Sequence, residues 1–247
     1  MSIEQTIDKL HEMRLTTMAK AFRNQQESGG FDEIPFAERF SMLVDAEWDS
    51  RRVNKRIRLL KTARFSAPEA NVADIRYDSD RGLDKSQILE LSNCCWVKAK
   101  RNIVITGASG AGKTWIACAL GVAACNSFYS VRYARLPEMI DELVAERDEE
   151  WLKAKKKYIK CDVLIIDDWL LEAVRAKGAR EILEIVESRQ RQGSLILCSQ
   201  FAPSAWHPKL GEGAIADAVI DRIIYNSHMV HIDGAESMRK RMSMLEG

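Results

Sequence analysis

Eight residues constrain this chain more than any others: Gly107-Ala108-Ser109-Gly110-Ala111-Gly112-Lys113-Thr114. They follow the apolar run Ile103-Val104-Ile105 and precede a helical pattern that begins at Trp115. A strand, a glycine loop spaced GxxxxGK[ST] and a helix, in that order, make a P-loop. The residue types suit an anion. Glycine lets the backbone turn tightly and bring N–H groups onto phosphate oxygens. The following helix aims its positive end at the same place. Lys113 can reach β- and γ-phosphates, and Thr114 can offer its hydroxyl to Mg²⁺.

A second motif completes the first. Val163-Leu164-Ile165-Ile166-Asp167-Asp168 is an apolar run that ends in two carboxylates, the Walker-B pattern. A parallel strand delivers such residues to the edge where ligands bind. Asp167 is expected to hold Mg²⁺, and Asp168 to orient or activate the attacking water. Asp168 is one methylene shorter than the glutamate that many ATPases place here. Leu195-Ile196-Leu197-Cys198 ends in Ser199-Gln200, so a polar side chain stands at another strand tip. It could sense a γ-phosphate or simply cap the strand.

From residue 102 onward, strand patterns (103–106, 130–134, 162–166, 195–199, 229–232) alternate with helical ones (113–126, 137–152, 176–192, 214–225). This predicts an α/β fold with a five-stranded parallel sheet and helices on both faces. The third and fourth strands are nearly all apolar, as strands buried on both faces should be. Another helix is expected over 86–99, after a polar linker at 74–84.

The N-terminal part reads differently. Residues 2–27 carry apolar side chains at helical spacing, and Gly29-Gly30 ends that helix. A second helix is predicted from near Pro35 to about Leu60. Residues 1–75 are therefore expected to be a small all-α domain, and 76–247 the α/β domain. The first part holds 12 acidic and 12 basic residues, yet seven basic ones and no acidic one fall within 51–64. Arg51, Arg52, Lys55, Arg56, Arg58 and Lys61 are candidate phosphate contacts to duplex DNA. The alternative is a solvated basic helix that pairs with Asp45, Glu47 or Asp49.

Net charge is +1, so a nucleic-acid surface must come from uneven distribution. The six cysteines form no C-x-x-C pair, and buried reduced thiols are expected. No run approaches a membrane span, and the charged N-terminus lacks a signal-peptide core. A cytoplasmic protein without a membrane partner is expected.

With these residues in view, the chain resembles the AAA+ ATPases. More narrowly, it is similar to the IstB-like transposition helpers and their relatives, the DnaC-type helicase loaders. Beyond the two nucleotide motifs, the resemblance rests on LHEMRLTTMAKAF (10–22), IADAVIDRI (215–223) and ESMRKR (236–241). It implies a P-loop NTPase with an AAA+ core, using ATP and Mg²⁺ and working as a homo-oligomer on duplex DNA with an IstA-like transposase. It places sensor 1 at Ser199, or else Gln200. It matches Arg222 to the arginine presented to a neighbour's ATP, and Arg239 to the sensor-2 arginine. Arg222 could instead be a surface helix arginine near Asp221, and Arg239 one basic residue of a tail. Relatives usually carry glycine after Asp-Asp-Trp, where this chain has Leu170, a departure that bears on the turn behind the Walker-B strand and not on ATP binding. A replicative helicase loader and a P-loop small-molecule kinase are the rival readings.

Overall fold

The computed structural model describes residues 2–144, 149–233 and 238. The chain divides into two compact units, Met1–Arg58 and Leu59–Gly247.

The first unit holds α1 (Ile3–Glu12), α2 (Thr16–Glu27) and most of α3 (Phe36–Ala63). A reciprocal capping box starts α1: Gln5 N–H donates to Ser2 Oγ, and Ser2 N–H donates to Gln5 Oε1. The single helix expected over 2–27 is broken, because Arg14 adopts a left-handed φ of +58°. The new helix start at α2 exposes N–H groups that lack intrahelical partners. Glu47, on α3, supplies the acceptor. Its Oε2 takes the N–H of Thr17 and of Met18, each at 3.0 Å. Helical periodicity within residues 2–27 carries no trace of that carboxylate.

The two units divide after Arg58, earlier than the boundary expected after residue 75. The reason is packing. Leu59, Leu60, Ala63, Phe65, Ala70 and Ile75 all join the core of the α/β unit.

In that unit, α4 (Lys85–Ser92) and α5 (Cys95–Lys98) lead into β1 (Asn102–Gly107). The continuous helix expected over 86–99 breaks at Cys94, with φ +58°. Trp96 spans the break, its indole N–H donating to Leu91 O at 2.8 Å. Then follow α6 (Lys113–Asn126), β2 (Val131–Arg135), α7 (Leu136–Val144), α8 (Glu149–Lys160), β3 (Val163–Asp167), α9 (Ala176–Arg189), β4 (Ser194–Ser199), α10 (Gly213–Ile224) and β5 (Ser227–Ile232). The end of α8 is a helix that the sequence pattern did not predict. Its lysines hide a narrow apolar stripe, of which Tyr158 is buried.

The five strands form one parallel sheet in the order β2-β3-β4-β1-β5. Side chains alternate across it. Ile103, Ile105, Val163, Ile165 and Ile196 face one core with residues of α4, α5 and α6. Val104, Leu164, Ile166, Leu195 and Leu197 face the other with residues of α7 to α10. Helices cover both faces, as expected. The P-loop strand β1 and the carboxylate strand β3 both flank β4. Their C-terminal ends therefore open onto one edge.

Candidate active site

The P-loop turns through Gly110 (φ +77°) and Gly112 (φ +95°), values that a β-carbon disfavours. Gly112 opens α6, so the loop N–H groups and the helix N-terminus point the same way. Lys113 is folded back onto the loop, where Nζ donates to Gly107 O (2.9 Å) and Ala108 O (2.8 Å). Burial lowers its proton affinity, and the nearby Cys198, Asp167 and Asp168 oppose that shift. Ala108, Ser109 and Ala111 complete the loop.

Thr114 Oγ1 donates to Asp167 Oδ2 at 2.7 Å, which joins the two motifs across 53 residues. Tyr133, on β2, donates its phenol to the same oxygen at 2.8 Å. Burial pushes the Tyr133 hydroxyl pKa up, and the adjacent Asp167 adds to this. Tyr133 therefore stays a donor across the physiological range. The hydroxyl and carboxylate oxygens of Thr114 and Asp167 are the hard donors that Mg²⁺ prefers, so the pair fits that cation.

Asp168 stands just past β3 in a left-handed conformation, φ +53°. It is paired with Arg135 at the tip of β2, with Nε at 2.9 Å and Nη2 at 2.8 Å from Oδ2. The β2–β3 register, which sets Arg135 opposite Asp167, brings the pair together. Sequence reading missed both Tyr133 and Arg135. The available signal was their place at the end of a strand, but strand order is a tertiary fact.

Leu170 also takes a left-handed φ, +52°. The turn behind β3 thus has at this position a conformation that favours glycine. The leucine bears the strain and buries its side chain in the second core.

Ser199 ends β4, opposite Thr106 of β1. It is 0 % exposed. Its hydroxyl donates to Trp169 O (3.0 Å) and accepts from Phe201 N–H (3.1 Å) and Trp206 Nε1–H (3.2 Å). That hydroxyl is thus engaged with one carbonyl and two N–H groups. The neighbouring Gln200 is exposed.

Arg222 lies in the last turn of α10, close to the N-terminal ends of the strands and away from its own P-loop. It pairs with Glu187 at 2.9 Å and donates to Ala218 O at 3.0 Å. Arg239 lies outside the described residues.

A buried arginine braces the P-loop from behind. Arg81 is 4 % exposed and donates to Arg76 O and, at 2.8 Å, to Ala111 O. Its carbonyl accepts from Asp233 N–H (2.8 Å), and Met238 N–H donates to Gly110 O (2.9 Å). The composition of 75–83 gave no sign of this contact.

The candidate DNA-contacting residues all lie on α3 and are exposed. They are not equivalent. Arg51 is tied to Glu47 Oε1 (2.7 Å) and to Arg14 O (2.9 Å), so for this residue the alternative of local pairing holds. Arg52 lies over the exposed Trp48 ring, 5.7 Å from its centroid. Lys55, Arg56, Arg58 and Lys61 continue the run.

All six cysteines are free thiols, and Cys94, Cys118, Cys125 and Cys198 are buried. Among the described residues no helix is long and apolar enough to cross a membrane.

Comparison with known proteins adds identity to this geometry. The family model described as IstB-like ATP binding protein matches residues 8–245. An insertion sequence ATP-binding protein of Sinorhizobium fredii is 37% identical over 239 residues, covering 95% of this chain and 96% of the relative. The AMPPCP-bound DnaA of Aquifex aeolicus shares the fold, with a TM-score of 0.58, 20% identity, 72% of this chain and 54% of that one. So does the DnaC helicase loader, with a TM-score of 0.53, 17% identity, 67% of this chain and 97% of that one.

Proposed function

Because the chain belongs to the IstB-like ATP binding protein family of insertion sequences, we propose that it hydrolyses ATP to regulate an assembly on duplex DNA. In that assembly it recruits or controls a transposase of the IstA-like kind. One observation carries the hydrolytic reading: the 2.7 Å bond from Thr114 to Asp167, with Lys113 beside it. Hydroxyl, carboxylate and ammonium meet at the edge where a parallel sheet binds its ligands.

In this reading the P-loop N–H groups and Lys113 hold the phosphates. Thr114 and Asp167 would hold Mg²⁺, which supplies positive charge against the developing negative charge. Lys113 leaves the Gly107 and Ala108 carbonyls for the phosphates, which restores the charge preference that burial weakens. Asp168 accepts a proton from the attacking water once it leaves Arg135. Gln200 takes the sensor position, and Arg239 contacts the nucleotide from its own chain. Arg222 serves the nucleotide of a neighbouring copy, since it stands at the opposite sheet edge from its own. Arg52, Lys55, Arg56, Arg58 and Lys61 contact DNA phosphates along α3, and Arg51 positions that helix through Glu47.

The deciding experiment is fluorescence anisotropy on labelled duplex DNA with ATP, ADP or no nucleotide, for the parent and Lys113→Ala. ATP-dependent binding that is lost in the variant supports the reading. Absence of duplex binding in every nucleotide state refutes the DNA-assembly part, and absence of phosphate release refutes the hydrolytic part.

A further inference from the structure

Asp167 is 5 % exposed, and most of its acceptor capacity is already taken. An ionised carboxylate has two oxygens with about four lone-pair positions between them. On Oδ2, the Thr114 hydroxyl (2.7 Å) and the Tyr133 phenol (2.8 Å) fill both. On Oδ1, the N–H of Asp168 takes another at 2.9 Å. Among the described residues no other donor reaches this carboxylate. A single position therefore stays open, and it belongs to Oδ1.

Two of these bonds follow from the nucleotide motifs. Thr114 closes the phosphate loop, and Asp168 is the next residue in the chain. The Tyr133 bond follows from neither. Tyr133 is the central residue of β2, set opposite Ile165 of β3 by the strand register. Its ring packs in the first core beside Val131, Cys118 and Ile165. Ser66, in the turn after α3, contacts Cys118 at 3.7 Å between Oγ and Sγ and stands close behind the phenol. Close packing of this kind holds a side chain in one rotamer, so the phenol stays on Oδ2. A phenylalanine would fill the same core space. The hydroxyl is the part of Tyr133 that the core does not need.

The number of oxygens that a carboxylate can offer bears on which cation it suits. Calcium takes about six to eight oxygen ligands and commonly uses both oxygens of one carboxylate, whereas magnesium takes fewer and keeps several waters. With both positions on Oδ2 filled, Asp167 can offer one oxygen and not two. Thr114 is not restricted in this way. Its hydroxyl gives its proton to Asp167 and keeps its own lone pairs for a cation.

We propose that Tyr133 is a specificity-determining residue of the cation site: by filling the second position on Asp167 Oδ2, it limits that carboxylate to one donor oxygen and favours Mg²⁺ over Ca²⁺. This rests on the ATP and Mg²⁺ reading given above and adds a selectivity to it. Selectivity between these ions is set by ligand number and flexibility. Groups that hold a liganding side chain in place typically change metal affinity by about 10–100-fold.

The test is an equilibrium one and needs no turnover. Affinity of the full chain for AMPPCP is measured by displacement of a fluorescent ATP analogue, once at saturating Mg²⁺ and once at saturating Ca²⁺. The parent is expected to bind the magnesium complex at least about tenfold more tightly. Tyr133→Phe keeps the ring and removes the hydroxyl. Its preference for magnesium is expected to fall by about tenfold, chiefly through tighter binding of the calcium complex. Loss of a purely structural bond would weaken both complexes alike and leave their ratio unchanged. Tyr133→Leu repeats the comparison should the phenylalanine variant fold poorly. Adding Asp167→Asn, whose amide has one oxygen, should abolish the calcium gain. Equal binding of the two complexes by the parent overturns the proposal before any substitution is made. An unchanged ratio in Tyr133→Phe overturns it as well, while leaving the ATP-binding reading intact. A parent chain that binds AMPPCP with neither ion refutes that reading, and the role of Tyr133 falls with it.

Discussion

Arg135 grips the carboxylate of Asp168 with two nitrogens, at 2.9 and 2.8 Å, across the tips of two neighbouring strands. The carboxylate that we propose accepts a proton from water is thus engaged by a cation from its own chain. The pair is partly exposed, so it is worth at most about 1 kcal/mol. Arg135→Ala should free Asp168 and raise basal ATP turnover by up to about fivefold, since about 1.4 kcal/mol corresponds to tenfold in rate. Steady-state phosphate release decides it. A fall in turnover would mean that Arg135 positions Asp168 productively instead of restraining it.

Lys113 and Asp168 should separate binding from chemistry. Lys113→Ala is expected to abolish nucleotide binding or hydrolysis. Asp168→Asn should leave ATP affinity nearly intact and slow turnover by about 10²-fold or more, the usual contribution of general base catalysis. Comparing equilibrium binding of a fluorescent ATP analogue with single-turnover hydrolysis would show the split. Equal losses in both assays for Asp168→Asn would rule out its assigned role.

On α3, combined neutralisation of Arg52, Lys55 and Arg56 should weaken duplex binding and flatten its salt dependence. Each lost phosphate contact lowers the slope of log affinity against log salt by about 0.9. Arg51→Ala should behave differently, because Arg51 is bound to Glu47 and Arg14 O: thermal stability should fall along with DNA binding. An unchanged salt slope in the triple variant would reassign the helix to a protein partner or to solvent.

Glu47 links the pH stability of the N-terminal unit to a helix cap. Burial alone would raise its carboxyl pKa, but Arg51 and the N–H groups of Met18 and Thr17 together bring it below the ordinary 4.5. A group stabilised in its charged form contributes fully above its unfolded pKa and loses that contribution as pH falls through the folded one. Stability of the unit should therefore decline below about pH 4.5. Glu47→Ala should remove about 1–3 kcal/mol at neutral pH, through the lost cap and the buried groups left unpaired. Far-UV circular dichroism during urea unfolding at several pH values would measure both. Equal acid sensitivity in parent and variant would count against this linkage.

Leu170 should show an inverted substitution order. Its left-handed φ costs about 1–2 kcal/mol for any residue with a β-carbon, while its burial is worth more than that. Leu170→Gly loses the packing but relieves the strain, and Leu170→Ala loses the packing and keeps the strain. The expected stability order is Leu, then Gly, then Ala, as read by urea midpoints. Alanine more stable than glycine would show that the φ strain is negligible here.

Much of this molecule is written in local pattern. Glycine spacing at 107–112, with Lys113 and Thr114 behind it, determines a phosphate loop because backbone freedom and helix polarity act over a few residues. Apolar runs ending at Asp167 and Ser199, alternating with helical periods, determine a parallel sheet covered on both faces. The same logic failed wherever a contact joins distant segments. Glu47 breaks the first helix in two from α3. The strand order, not the residue order, gives Asp168 to Arg135 and Asp167 to Tyr133. The sequence puts Ser199 ahead of Gln200 as the polar strand-tip residue, and only the packing around Trp169 and Trp206 shows that Ser199 is buried and Gln200 exposed. Local propensity acts through neighbours in sequence, whereas desolvation and charge pairing act through neighbours in space, and those exist only once the sheet has formed.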